Sequence, residues 1–388
     1  MSINKKTAQQ LILRAGRELV RTGLIARTWG NISARISDTS FLITPSGRSY
    51  ETLQPEDLVE VRIDDCSYAG PLKPSSEMKV HAVCYQDRPD TDFVIHTHQD
   101  YATALSTLGQ DLSFPGQALS AIPTAEYAIF GSDSLAANVD HALKRCKSHV
   151  VLMRNHGTVC LGRDYEDAFR LAHQLEKECK KEYMKKISPV ITDEILHYEN
   201  GPDENGPETR ERAQASLESQ PDGLCENEKL WKYTSDFGKH SDGCYLFTKA
   251  PYISKYASFG DDLTVYVDDL GMMVGPLVHC LPVNTSEDEI CSALTSTLPV
   301  ISNAVLVQGD GAECYGKDGM VNSTSQRGVI GAVCYGKDRS EAEAMVMVLN
   351  KGCQAGLLEK AGLSPKAASL ATRIREHEIY VEKYAKLK

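Results

Sequence analysis

Two short apolar runs in this chain each lead into histidine, and that pattern restricts its fold more than any other feature. Val94-Ile95 runs into His96-Thr97-His98, and Val150-Val151-Leu152-Met153 runs into Arg154-Asn155-His156-Gly157. Side chains alternate between the two faces of a strand, so His96 and His98 turn their rings to the same side. Each ring can give one nitrogen to a single ion. His156, from a distant strand end, can close the set and leave a position open for substrate. Taken alone, a His-X-His triplet is more often a pair of surface or core histidines. The strand-like runs ahead of both segments favour the metal reading, because open α/β sheets carry their active sites at the carboxyl ends of strands. Upstream, Pro74-Ser75-Ser76-Glu77 sets a carboxylate where a short loop should feed a helix.

The rest of the first half reads as alternating elements. Lys5 to Thr22 is an expected helix with Leu11, Ile12, Ala15, Leu19 and Val20 on one side. Strands are expected near Asn31 to Ile36, Ser40 to Thr44 and Leu58 to Ile63, and helices from Ser76 to Gln86 and Tyr101 to Leu108. Ser132-Asp133 caps a further helix through Ala142, and a long helix runs from Tyr165 to Lys185. Helices alternating with strands define an α/β class, with helices covering a sheet.

Six ordered segments carry a family resemblance. They are Gly30-Asn31-Ile32-Ser33; Leu42-Ile43-Thr44-Pro45-Ser46-Gly47; Pro74 to Ser106; Tyr127-Ala128-Ile129-Phe130-Gly131; Asn155-His156-Gly157; and the helix from Tyr165 to Tyr183. Over about the first half, the chain resembles the class II aldolase/adducin family. The resemblance implies a three-layer α/β/α fold with a mostly antiparallel central sheet. It implies a metal-dependent aldolase that splits a ketose 1-phosphate into dihydroxyacetone phosphate and an aldehyde through a metal-stabilised enediolate. It further implies His96, His98 and His156 as ligands of Zn2+ (alternatively Mn2+, Fe2+ or Co2+), and Glu77 as the acid/base. Phosphate falls on Gly30, Asn31, Ser46, Gly47, Ser75 and Ser76, where hydroxyls and backbone N–H groups gather and Ser75-Ser76 opens a helix. Read singly, Glu77 is also a plausible helix-dipole charge, and Pro45-Ser46-Gly47 an ordinary turn. Sugar-phosphate dehydration, epimerisation or decarboxylation on the same site, and a non-enzymatic adducin-like scaffold, remain as alternatives. Aldolases of the family also use a tyrosine from the segment before the Tyr127 motif. Here that segment is a short FPGQALSAIPTAEY with no tyrosine in the expected place.

Three divisions are expected: a catalytic domain at 1–190, an acidic linker at 191–228, and a degenerate, non-catalytic aldolase-like domain at 229–388. The linker carries eleven Asp/Glu against Arg210 and Arg212, most of the formal net charge of −11. In the second half, Ala304 to Asp318 resembles Val150 to Asp164, and Phe247 to Leu263 resembles Phe41 to Leu58, as a tandem duplication would give. The copy lacks the chemistry. Asp310 takes the place of His156, no second His-X-His follows His98, and His240 and His279 are isolated. No basic stripe suggests nucleic acid, no segment has the length of a membrane span, and the start lacks a signal-peptide core. Twelve cysteines without a Cys-X-X-Cys pair read as reduced and buried. A cytoplasmic homo-oligomer acting on a small phosphorylated sugar is the expectation, either a tetramer or a dimer whose four halves form a pseudo-tetramer.

Overall fold

The computed structural model describes residues 3–22, 24–25, 29–114, 119–200, 230–237, 243–282, 285–295, 302–308 and 330–383. The first half is a seven-stranded sheet in the order β3-β2-β1-β4-β7-β6-β5. Its strands are β1 (Asn31–Arg35), β2 (Ser40–Ile43), β3 (Val59–Arg62), β4 (Phe93–Thr97), β5 (Thr124–Ala125), β6 (Val150–Met153) and β7 (Gly157–Gly162). Every neighbouring pair is antiparallel except β5 with β6. Both sheet faces are apolar, so helices cover both. One layer is α1 (Lys5–Arg21), α3 (Asp100–Ser106) and α5 (Tyr165–Lys186), which bury Ile12, Leu19, Leu105 and Leu175. The other is α2 (Met78–Asp87) and α4 (Asp133–Arg145), which bury Val80, Tyr85, Val139 and Leu143. This is the three-layer α/β/α arrangement with a mostly antiparallel sheet.

The acidic segment opens on a packed helix, α6 (Asp193–Asn200), in which Ile195 is buried and Glu199 pairs with Lys180 at 2.6 Å. The remainder of the expected linker, 201–228, lies outside the described residues.

The second half forms a five-stranded sheet, β12-β13-β14-β9-β8. Its strands are β8 (Thr234–Asp236), β9 (Cys244–Thr248), β12 (Cys280–Leu281), β13 (Ala304–Val307) and β14 (Gly331–Gly336). Reversed, that order is the same as β1-β4-β7-β6-β5, and each pair has the same sense, including the single parallel pair. The registers agree too. Met153 pairs with Gly157 as Val307 pairs with Gly331, and Thr124 with Leu152 as Cys280 with Leu306. The helices follow: α7 (Pro251–Ala257) after β9 as α3 after β4, α9 (Glu287–Thr295) between β12 and β13 as α4 between β5 and β6. After β14, α10 (Arg339–Lys360) matches α5, and both have 22 residues. Asp164 and Asp338 cap these two helices through their side chains. A Cβ on Gly162 would lie 2.4 Å from the Ala168 nitrogen, and one on Gly336 2.3 Å from the Ala342 nitrogen. Glycine is needed at both turns for the same close approach.

The structural correspondence differs from the one expected from sequence. Ala304–Val307 is the counterpart of β6, as expected. The counterpart of Gly157 to Asp164, however, is Gly331 to Asp338, and Phe247 lies in the counterpart of β4 rather than β2. Phe247 and Lys249 therefore stand where the first half has His96 and His98, and Ile330 where it has His156. Asp310 and His240 lie outside the described residues.

The second half also differs by an insertion. The isolated bridge Leu112–Ile122 corresponds to the pairing of β10 (Leu263–Thr264) with β11 (Leu277–Val278). Between β10 and β11 sits α8 (Asp268–Met273), wholly buried between the halves. With the C-terminal α11 (Leu370–Lys383), it joins the two halves in one apolar core. Among the described residues, no helix is long and apolar enough to cross a membrane.

Candidate metal centre and active site

His96 is the fourth residue of β4 and His98 follows that strand directly, so their side chains share a face. The β6–β7 turn delivers His156, with Asn155 held at φ 65°. Gly157 admits the neighbouring strand: a Cβ there would lie 2.3 Å from the Thr97 oxygen. The three imidazoles converge. His96 Nε2 is 2.9 Å from His98 Nε2 and 3.2 Å from His156 Nε2. Glu77, in the last position before α2, brings Oε2 to 3.1 Å from His96 Nε2 and Oε1 to 2.9 Å from His156 Nε2. All four side chains are buried.

The Nδ1 partners fix the tautomers. His96 Nδ1 donates to the Thr158 carbonyl at 2.9 Å. His98 Nδ1 donates to Asp269 at 2.7 Å, and His156 Nδ1 to Asp268 at 2.9 Å. Burial, with His98 and His156 close by, pushes His96 down to about 3 against the pull of Glu77. Burial likewise lowers His98 despite Asp269. Both are neutral near pH 7 with bare Nε2 atoms, so their 2.9 Å approach joins two lone pairs and no hydrogen. Such an arrangement is repulsive unless a cation lies between them. For His156, burial is overcome by Glu77 and Asp268, which raise it, so an entering cation displaces a proton there. Tetrahedral bonds of about 2.0–2.1 Å to nitrogen need ligand atoms about 3.3–3.4 Å apart. The observed spacings are within a few tenths of an ångström of that, so the residues fit a divalent cation. Among the described residues, His96, His98 and His156 are the one group with metal-ligand proximity.

Burial would raise Glu77, but His96, His156 and hydrogen bonds from His156 and Asn31 hold it well below the usual carboxylate range. It is ionised. A directional chain orients it. His81, which burial lowers to about 4, is neutral. Its Nδ1 lies 2.6 Å from Ser33 Oγ, which also meets the Tyr85 hydroxyl at 2.7 Å. Its Nε2 contacts Asn31 Oδ1, and Asn31 Nδ2 donates to Glu77 Oε2 at 2.9 Å. The Asn31 side chain is thus committed to Glu77 and His81.

A cavity of about 640 Å³ opens over this floor. Gly30, Asn31, Ser46, Gly47, Ser75 and Ser76 all line it, with His98, His156 and Glu77. Arg48, which sequence reasoning missed, adds an exposed cation beside Ser46-Gly47. Asp269, Met272, Lys337, Glu341 and Tyr380 of the second half complete the wall. Four further second-half groups were missed. Asp268 and Asp269 hold two histidines, Lys351 pairs with Asp269, and Glu376 accepts from the Tyr127 hydroxyl.

The Class II Aldolase and Adducin N-terminal domain family matches residues 10–183. L-fuculose phosphate aldolase of Escherichia coli K12 is 35% identical over 189 residues, 46% of this chain and 86% of that protein. The 5-methylthioribulose-1-phosphate/5-deoxyribulose-1-phosphate aldolase of Rhodospirillum rubrum is 34% identical over 190 residues, 48% of this chain and 83% of that one. A solved L-fuculose-1-phosphate aldolase from Thermus thermophilus is 26% identical, with a TM-score of 0.42, covering 48% of this chain and 98% of that one. The chain belongs to the class II aldolase/adducin family and is a class II aldolase, a metal-dependent carbon–carbon lyase.

Proposed function

We propose that this enzyme interconverts a short ketose 1-phosphate with dihydroxyacetone phosphate and an aldehyde. One observation carries the reading. Three imidazole nitrogens and an ionised carboxylate meet at the floor of a cavity whose rim gathers Gly30, Asn31, Ser46, Gly47, Ser75 and Ser76. His96, His98 and His156 hold the cation. Zn2+ is the first choice for an imidazole set, with Mn2+, Fe2+ and Co2+ as alternatives. When bound, the cation supplies the positive charge that stabilises the enediolate left by carbon–carbon cleavage. Glu77, ionised and aimed by Asn31, accepts the proton released in that step and returns it. Serine hydroxyls and backbone N–H groups of the rim, with Arg48, take the phosphate. The two relatives above are named for ketose phosphates of this kind, which supports the substrate class.

The test is bound metal, then turnover with dihydroxyacetone phosphate and a panel of short aldehydes. About one ion per chain with aldol product, both lost in His98→Ala, is the expected result. Metal without carbon–carbon chemistry moves the reaction to dehydration, epimerisation or decarboxylation. No metal under any loading condition returns the scaffold reading. We further propose a homo-oligomer, in which two chains bring four halves into a ring. A fully active monomer by light scattering overturns that part.

A further inference from the structure

Three features stand out beyond the site's floor. The Tyr127–Glu376 contact lies outside the cavity lining. The Lys337–Glu341 pair at the rim, 3.8 Å apart, joins an exposed lysine to a glutamate that already accepts from the Lys337 backbone N–H, and contains no built ligand site. The third is the α8 aspartate pair, which touches the metal set directly and comes from the half of the chain that has lost its own ligands.

We propose that Asp268 and Asp269 are positioning residues of the first half's metal centre, so that the second copy serves as a permanent part of the site it adjoins. This rests on the metal-site reading above. Asp268 takes the Nδ1–H of His156 at 2.9 Å and Asp269 that of His98 at 2.7 Å, and both carboxylates are buried. Each bond turns a ring so that Nε2 faces the centre, and makes that nitrogen a better donor. Neither carboxylate is free to swing. The Asp268 backbone N–H donates to the Asn155 carbonyl at 2.8 Å, tying α8 to the turn that carries His156. Lys351 of α10 grips the Asp269 carboxylate at 3.1 Å and the His98 carbonyl at 2.6 Å. His96 differs: its Nδ1 partner is the Thr158 carbonyl of the same sheet. Two of three ligands are therefore oriented from across the junction between copies, by an insertion between β10 and β11 that the first copy's corresponding loop does not match in length. Phe247, Lys249 and Ile330 in place of histidines mark the second copy as a donor of support and not a second metal site.

The experiment measures Zn2+ affinity of the full chain by competition with a chelating dye, and the absorption spectrum of the Co2+-loaded protein. Wild type is compared with Asp268→Asn, Asp269→Asn and Tyr127→Phe. The last removes another bond between the halves without touching a histidine. Folded aspartate variants that bind about 10- to 100-fold more weakly, with an altered Co2+ spectrum and an unchanged Tyr127→Phe, support the inference. Wild-type affinity and spectrum in the aspartate variants overturn it, and so does equal weakening in Tyr127→Phe. Should the aspartate variants not fold, 15N spectra of histidine-labelled wild type decide. His98 and His156 must carry the proton on Nδ1 and the metal on Nε2, and the reverse assignment overturns the inference. A wild type that binds no metal instead removes the functional reading itself.

Discussion

The Lys351 ammonium sits 2.6 Å from the His98 carbonyl oxygen, joining the middle of the second half's longest helix to the end of the strand that carries two candidate metal ligands. Lys351 is 3% exposed, and its partner Asp269 1%. Burial would lower Lys351, but Asp269 and Asp100 keep it charged. Removing one member of a buried pair leaves the other uncompensated, at a cost of about 3–5 kcal/mol. Lys351→Met should therefore lose stability of that order in denaturant titrations. A loss below about 1 kcal/mol would show that the junction does not depend on this charge.

Glu77 is expected to act on protons and to be dispensable for holding the cation, since three imidazoles remain. Glu77→Gln keeps the shape and the Asn31 contact but has no carboxylate to accept a proton. Turnover should fall about 10²- to 10⁴-fold, with metal content near that of wild type. Loss of metal in parallel with turnover would instead make Glu77 an essential ligand.

Arg48 tests the phosphate end of the cavity. Arg48 is exposed and follows Ser46 and Gly47 in the cavity lining. A charge-assisted hydrogen bond contributes about 1.5–3 kcal/mol, so Arg48→Ala should raise KM for the phosphorylated substrate about 10- to 100-fold and leave kcat nearly unchanged. An unaltered KM would place the phosphate elsewhere on the rim.

The parts of the site that could be read from sequence are those written in short segments. His96 and His98 are two residues apart at the end of one strand, Glu77 follows a serine pair, and the rim residues fall in three adjacent pairs, Gly30-Asn31, Ser46-Gly47 and Ser75-Ser76. Asp268, Asp269, Lys351 and Glu376 had no such signal. Their roles arise only when two halves pack, and a carboxylate on a histidine Nδ1 leaves no local pattern. The expected correspondence between the two halves slipped because Cys-Tyr-Gly-Lys-Asp occurs twice, at 314–318 and 334–338. Strand register shows the second occurrence to be the counterpart of the turn before α5. The buried α6 was hidden by the acidic composition around it, since only Ile195, Tyr198 and the paired Glu199 reach the core.

Glu376 supplies a prediction about pH. It is 1% exposed on α11, accepts from Tyr127, and faces Asp268, His156 and Arg373. Burial and the Asp268 charge push it up from 4.5 to about 8, against the Tyr127 bond, His156 and Arg373. The folded state thus holds this proton more tightly than the unfolded chain. Its stabilising contribution is complete below about pH 4.5 and is lost as the pH rises through about 8. Glu376→Gln keeps the acceptor for Tyr127 and cannot ionise, so it should flatten this part of the profile. Thermal unfolding of wild type should shift downward between about pH 6 and about pH 8.5 by more than that of Glu376→Gln, with the two proteins most alike at the acid end. Parallel profiles across that range would mean that Glu376 is already ionised in the folded enzyme.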